Sequence, residues 1–143
     1  MRELKFRAWD EEIKCMVKVD SMHFPLGKPN KKDIAVFNEE EFYYEWVHDY
    51  KIMQYTGLKD KNGVEIYEGD IVRLHNKWET KTPYISQVEG DLSTGAMVKQ
   101  HPTFEELNLG SWRNLASYCV SQGCSCEVIG NIYENPELLK EDE

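Results

Sequence analysis

Short runs of alternating apolar and polar residues, broken by Gly, Pro, Asn and Asp, dominate this chain, a pattern of strands and turns. Leu4, Phe6 and Ala8 alternate with Lys5, Arg7 and Trp9, and Cys15, Val17 and Val19 alternate with Met16 and Lys18. Around the polar turn Asp10-Glu11-Glu12, these two runs predict an N-terminal hairpin. The stretch from His23 to Asp33 carries Pro25, Gly27, Pro29 and three lysines, and it reads as a loop. Asn38 then stands before three glutamates, with Glu41 spaced to reach back as in a capping box. That predicts a short helix through Phe42, Trp46 and Val47. The same aromatic stretch, Phe42-Tyr43-Tyr44-Glu45-Trp46-Val47, reads equally well as a strand.

The block from Met53 to Val72 is the densest in strand and turn signals. Lys51 to Tyr55 and Val64 to Leu74 are rich in Ile, Val, Tyr and Met, residues that suit a half-buried pleated surface. Between them Leu58 to Gly63 ends in Asn62-Gly63, the pair that most readily takes positive φ in a hairpin turn. Glu68-Gly69-Asp70 makes a second break, with Gly69 supplying the backbone angle and Asp70 placed to accept from turn amides. Farther on, His75 to Thr82 is a polar connection. Tyr84 to Glu89 and Gly95 to Lys99 predict a hairpin through Gly90-Asp91, whereas Thr103 to Gly110 fits neither period. A last strand, Glu127 to Tyr133, sets Val128 and Ile132 on one face and Ile129 on the other. Asn135-Pro136-Glu137 then reads as N-cap, first-turn proline and first-turn acid of a short helix holding Leu138 and Leu139.

These elements predict a mainly β fold in a single domain over 1–143. A β-rich N-terminal segment, 1–55, precedes an SH3-like small β-barrel over 56–134, and a short C-terminal helix and tail occupy 135–143. The length of 143 residues suits one core of ordinary size. With 30% charged and 41% hydrophobic residues the composition is that of a globular chain. No run approaches the roughly 20 apolar residues of a membrane span, and the first residues show no secretory leader, so a cytoplasmic, membrane-free location is expected.

Charge is unevenly placed. Residues 1–32 hold eight Lys/Arg against five Asp/Glu, while the remainder holds nine against twenty-one, for a net −9. An acidic body repels a phosphate backbone and disfavours nucleic acid as a partner. The basic N-terminal segment is suited instead to docking on an acidic surface, its own or a neighbour's. Its Leu4, Phe6, Trp9 and Val17 are the candidate interface residues of a homo-oligomer, because an isolated hairpin is marginal in water and must pack on something.

Candidate chemistry is sparse. Cys119, Cys124 and Cys126, with Cys15 or His101 as a fourth ligand, offer a zinc set, but their spacing lacks the paired knuckle of structural sites. Buried thiols are the expected use, with no metal or other cofactor. A disulfide is not expected in a cytoplasmic chain. Asp70 with Glu79-Thr80-Lys81 matches the acid followed by E-x-K by which some nucleases hold Mg²⁺ and position a lysine. That triplet falls in a polar stretch rather than on a firm core strand. His23, His48, His75 and His101 stand apart, and no catalytic constellation is expected. Trp9, Trp46, Trp78 and Trp112 are candidates for stacking bases, yet stacking grooves are normally basic, so core and interface use is favoured.

Two blocks, MQYTGLKDKNGVEIYEGDIV from Met53 to Val72 and CEVIGNIYENPELL from Cys126 to Leu139, resemble the YopX family of small phage and prophage proteins. With the first strand through Trp9, the resemblance covers about half the chain. It implies a β-rich phage or prophage protein and brings no catalytic residues. Asn62, Gly63, Gly69, Asp70 and Gly130 are then scaffold turns. The leading expectation is a non-enzymatic adaptor that associates with itself and with a phage or host protein. The alternative is a nucleic-acid-associated protein, either a single-strand binder or a nuclease using Asp70 and Glu79.

Overall fold

Phe6–Asp10 forms strand β1 and Cys15–Val19 forms β2, antiparallel, with Phe6 opposite Val19 and Asp10 opposite Cys15. The computed structural model to which they belong describes residues 3–19, 34–38, 43–47, 50–76, 83–91, 95–99, 112–120 and 123–140. The hairpin reversal occupies Glu11 to Lys14, so Asp10 closes the strand rather than opening the turn. Its Oδ1 accepts from the backbone N–H of Glu12 (2.7 Å) and of Ile13 (3.1 Å), an Asx-type turn. Lys14 takes a φ of 53°, the single left-handed non-glycine among the described residues.

Two further strands, β3 (Ile34–Asn38) and β4 (Tyr43–Val47), pair antiparallel with Ile34 opposite Val47. The aromatic run from Tyr43 is therefore a strand, and the helical reading is corrected there, because cross-strand pairing holds its backbone extended. Glu39 to Phe42 and the 23–33 loop lie outside the described residues. On its other side β1 pairs with Lys51–Gln54, setting Ala8 opposite Ile52. Ala8 and Val19 are buried, with Phe6, Val17, Tyr50 and Ile52 packed around them. These elements make up one compact unit, Glu3–Gln54.

The second unit includes Tyr55–Glu143. Strand β5 (Lys51–Lys59) continues into it and pairs with β6 (Glu65–Tyr67), with a register shift between Tyr55 and Lys59. β7 (Asp70–Asn76), β8 (Tyr84–Asp91), β9 (Gly95–Lys99), β10 (Trp112–Asn114) and β11 (Cys124–Asn131) build a five-stranded antiparallel sheet in the order β10-β9-β8-β7-β11. The sheet curls, with β10 and β11 as its edges. Gly90 and Asp91 do not make the β8–β9 turn. They lie within the ladder, opposite Ala96 and Gly95.

Period-two burial explains the curl's inner face. Tyr84, Ser86 and Val88 are buried while Ile85 and Gln87 are only partly so, and Ala96 and Val98 repeat the pattern on β9. Ile66, Val72, Leu74, Leu115, Tyr118 and Cys126 complete this core. Each fully buried Val, Leu or Ile contributes about 1.5–3 kcal/mol. A five-residue helix, α1 (Ala116–Val120), follows β10 and lies against β11. Its start is tied by Asn114 Oδ1, which accepts from Ala116 N–H at 2.9 Å. After β11 comes a 3-10 turn, Pro136–Leu139. Asn135 precedes it as expected but makes no side-chain cap.

Candidate functional site

The predicted turn residues converge on a polar scaffold in the second unit. The β5–β6 reversal is a three-residue loop, Lys61-Asn62-Gly63. Asp60 O accepts from Gly63 N–H at 3.0 Å, and Asp60 N–H donates to Val64 O at 2.8 Å. Only Gly63 is left-handed (φ 83°), so this is a type I turn closed by a glycine bulge. The expected positive φ at Asn62 is absent. A Cβ on Gly63 would have nothing within 4 Å, so this glycine serves backbone conformation alone.

Asp60 carries more of this turn than Asn62 does. It is 6% exposed, with Oδ1 accepting from Asn62 N–H (2.7 Å) and Val64 N–H (2.9 Å) and Oδ2 accepting from Val128 N–H (3.1 Å). Lys61 N–H also donates to Cys126 O at 3.0 Å. The loop thereby occupies backbone groups along the outer edge of β11. Edge strands left bare are sites of unwanted pairing, and this one is partly covered. Four residues before Asp60, Thr56 Oγ1 donates to Ile66 O at 2.7 Å and accepts from Leu58 N–H at 3.2 Å, securing the irregular stretch of β5.

At the β6–β7 break Gly69 has a φ of 87°; its N–H donates to Val88 O (2.8 Å) and its carbonyl accepts from Ile132 N–H (3.0 Å). One glycine thus joins β7, β8 and the end of β11. Asp70 is fully buried, and its Oδ2 accepts from Tyr67 N–H at 2.8 Å. Such a carboxylate faces the turn rather than solvent. Glu79-Thr80-Lys81, the other half of the nuclease-like reading, lies outside the described residues, as do Trp78 and His101.

Gly130 sits just past the β11 register shift, where a Cβ would come within 2.5 Å of Asn135 Oδ1. Asn131, buried at 4% exposure, supplies what Asn135 was expected to supply. Its Oδ1 accepts from Tyr133 N–H and Glu134 N–H, both at 3.0 Å, and its amide donates to the Glu134 carboxylate. On the surface, Glu127 pairs with Lys61 at 2.9 Å and Arg73 at 3.4 Å, and the Lys61 hydrogen bond holds its carboxyl below the usual range.

The cysteines do not gather into a metal set: among the described residues no group of three or more His, Cys, Asp or Glu is placed to hold an ion. Cys126 is buried in the core beside Cys119 and Cys124, which are half-buried, while Cys15 belongs to the other unit. The interaction of the two thiols holds the Cys119 thiol below its ordinary range and, together with burial, pushes the Cys126 thiol up. Tyr84 and Tyr118 join their hydroxyls nearby in the same core, 2.7 Å apart.

In the first unit the candidate interface residues divide. Leu4 is 74% exposed, Phe6 and Val17 are half-buried, and Trp9 is buried at 5%. Ile13, in the hairpin turn, is 64% exposed and joins Leu4 as a large apolar side chain left to solvent. No helix among the described residues is long and apolar enough to cross a membrane.

The YopX protein family model matches residues 5–140. The chain belongs to the YopX family. Among solved structures, protein EF1440 from Enterococcus faecalis is 28% identical, with a TM-score of 0.64 over 97% of this chain and 99% of that one. The yopX protein of Bacillus subtilis, 18% identical, shares the fold with a TM-score of 0.61 over 96% of this chain and 98% of its own. No curated protein matches the chain. The YopX match takes in both units, the paired hairpins as well as the five-stranded sheet. The scaffold turns at Asn62, Gly63, Gly69, Asp70 and Gly130 all fall inside it.

Proposed function

We propose that this YopX-family chain is a non-enzymatic protein-binding module of phage or prophage origin. It works in the host cytoplasm, associating with itself and engaging a phage or host protein. The observation that carries the reading is the N-terminal hairpin, which leaves Leu4 exposed just before β1 and Ile13 exposed in the turn at its other end. Two large apolar side chains left to solvent on one small element offer a partner apolar surface to bury. Charge supports a partner that is itself acidic, because residues 1–32 carry a basic surplus and the rest of the chain an acidic one. A second copy of this chain satisfies that requirement, with opposite charges steering encounter and apolar burial holding the contact.

The polar residues described above are used internally. Asp60, Asp70 and Asn131 spend their side-chain oxygens on backbone amides, which suits a rigid carrier of a binding surface. Affinity capture from host cells carrying the phage tests the proposal. Tagged wild-type chain should recover a defined partner, and the Leu4→Glu/Ile13→Glu variant should lose it while staying folded. Equal recovery by both would place the binding surface elsewhere. A Mg²⁺-dependent cleavage assay on single-stranded and duplex DNA should be blank.

A further inference from the structure

Asn62 and Gly63 make the sole Asn-Gly pair in the sequence, and both are exposed at the tip of the β5–β6 loop. The pair has a chemistry of its own. An asparagine side-chain carbonyl lies within reach of the next residue's backbone nitrogen, and attack there closes a cyclic imide. A side chain on that next residue obstructs the closure. Gly63 has none, and a Cβ built there would have nothing within 4 Å, so the tip is uncrowded. The nitrogen itself is engaged: Gly63 N–H donates to Asp60 O at 3.0 Å, while Asn62 N–H donates to Asp60 Oδ1 at 2.7 Å. Asp60 therefore holds the backbone on both sides of the Asn62 side chain in the turn.

We propose that Asn62 is a deamidation site gated by the hairpin's own hydrogen bonds, and that its conversion to isoaspartate unfastens the loop from β11. Gly63 nitrogen attacks Asn62 Cγ. The N–Cγ bond forms, the Cγ–Nδ2 bond breaks, and Nδ2 leaves as ammonia carrying the Gly63 amide proton. Water then opens the imide. Addition at Cγ yields aspartate, and addition at the backbone carbonyl of residue 62 yields isoaspartate, in which the chain runs on through Cγ. No electrons are transferred, and water is the one co-reactant. Isoaspartate places an additional methylene in the backbone between the Cα of residue 62 and the Gly63 nitrogen. That displaces Gly63 N–H from Asp60 O and breaks the turn on which the loop's outer ties depend. Those ties are Lys61 N–H to Cys126 O (3.0 Å) and Val128 N–H to Asp60 Oδ2 (3.1 Å). β11 is an edge of its sheet, so the released carbonyl and amide are free to pair with another strand. A covered edge thereby becomes a bare one as the chain ages.

Incubation of the full chain at slightly alkaline pH tests this, with conversion mapped by peptide mass and isoaspartate scored by methyl transfer from S-adenosylmethionine with an isoaspartyl methyltransferase. Asn62 should convert at least about tenfold faster than Asn114, which is exposed but followed by leucine. In the urea-unfolded chain Asn62 should convert about tenfold faster still, because the gate is gone. Asp60→Ala should raise the rate in the folded chain about fivefold, and Asp60→Asn, which keeps one acceptor oxygen, should raise it less. Aged wild type should melt at a lower temperature than fresh protein, whereas Asn62→Ser, which has no amide to lose, should melt unchanged after the same incubation. Conversion of Asn62 no faster than Asn114, equal rates in the folded and unfolded chains, a rate that neither Asp60 variant alters, or an unchanged melting temperature once isoaspartate has formed would each overturn the proposal.

Discussion

The carboxylate of Asp60 accepts a hydrogen bond from the backbone N–H of Val128, 68 residues farther along the chain, at 3.1 Å. Through it the β5–β6 loop is fastened to an edge strand that forms near the end of the sequence. The same carboxylate holds the loop's own amides, so one buried charge serves both a local turn and a long-range contact. Hydrogen bonds to an ionised acceptor contribute more than neutral ones, and an amide left unsatisfied in a buried site is costly.

Asp60→Ala should therefore destabilise the second unit by about 2 kcal/mol, the cost of leaving three partly buried amides without their acceptor. Asp60→Asn, which keeps one acceptor oxygen, should cost less. Urea denaturation measures both. A loss below about 1 kcal/mol for the alanine variant would mean that water replaces the carboxylate without penalty.

Gly63→Val should cost about 1 kcal/mol or more, because a β-branched residue resists the φ of 83° found there. The space around its Cβ is open, so the penalty is one of backbone and not of packing. Gly63→Asn should consequently be milder, since Asn tolerates the left-handed region. Equal melting temperatures for the two variants would contradict this account of the loop.

Gly130→Ala should destabilise for the opposite reason, a collision with the Asn135 side chain. Combining it with Asn135→Ala removes the nearest atoms. The pair should be non-additive, with a coupling of about 1 kcal/mol in a double-mutant cycle. Additive losses would show that Asn135 simply swings aside.

Much of the strand pattern was legible because alternation and turn residues are local signals. The N-terminal hairpin, the central block and the β8–β9 pair follow from it. Gly90-Asp91 misleads because that dipeptide has the composition of a turn, yet pairing with Ala96 and Gly95 keeps it in the ladder. Helix α1 is only five residues long and shows no helical period, and packing on β11 rather than propensity maintains it. Asp60 and Asn131 look like ordinary loop residues in sequence. Their importance lies in which amides they face, a matter of tertiary structure. Leu4 and Trp9 show the limit most directly: both occur in one alternating run, and folding leaves Leu4 in solvent while burying Trp9.

Acid should weaken the fold through depressed carboxylates. At Asp10 burial pushes the carboxyl up, but hydrogen bonds from Ile13 N–H, the Tyr50 side chain and Glu12 N–H outweigh it and leave its pKa below the ordinary 3.8. Glu127 is likewise held below its ordinary 4.5, first by the Lys61 hydrogen bond and then by the Lys61 and Arg73 charges. For both, the folded value lies below the unfolded one. The stabilisation is therefore complete above the ordinary values and is lost as pH falls through the depressed ones. Melting temperature should drop on acidification below about pH 4, and the drop should shrink in Asp10→Asn and Glu127→Gln. A variant as acid-sensitive as the wild type would remove that residue from the explanation.

Self-association through the N-terminal hairpin is the central claim, and light scattering coupled to size exclusion at micromolar concentration tests it most directly. The wild-type chain should elute with a mass of two or more chains. The Leu4→Glu/Ile13→Glu variant should elute as a single chain with an unchanged far-ultraviolet circular dichroism spectrum. A strictly monomeric wild type would contradict the account.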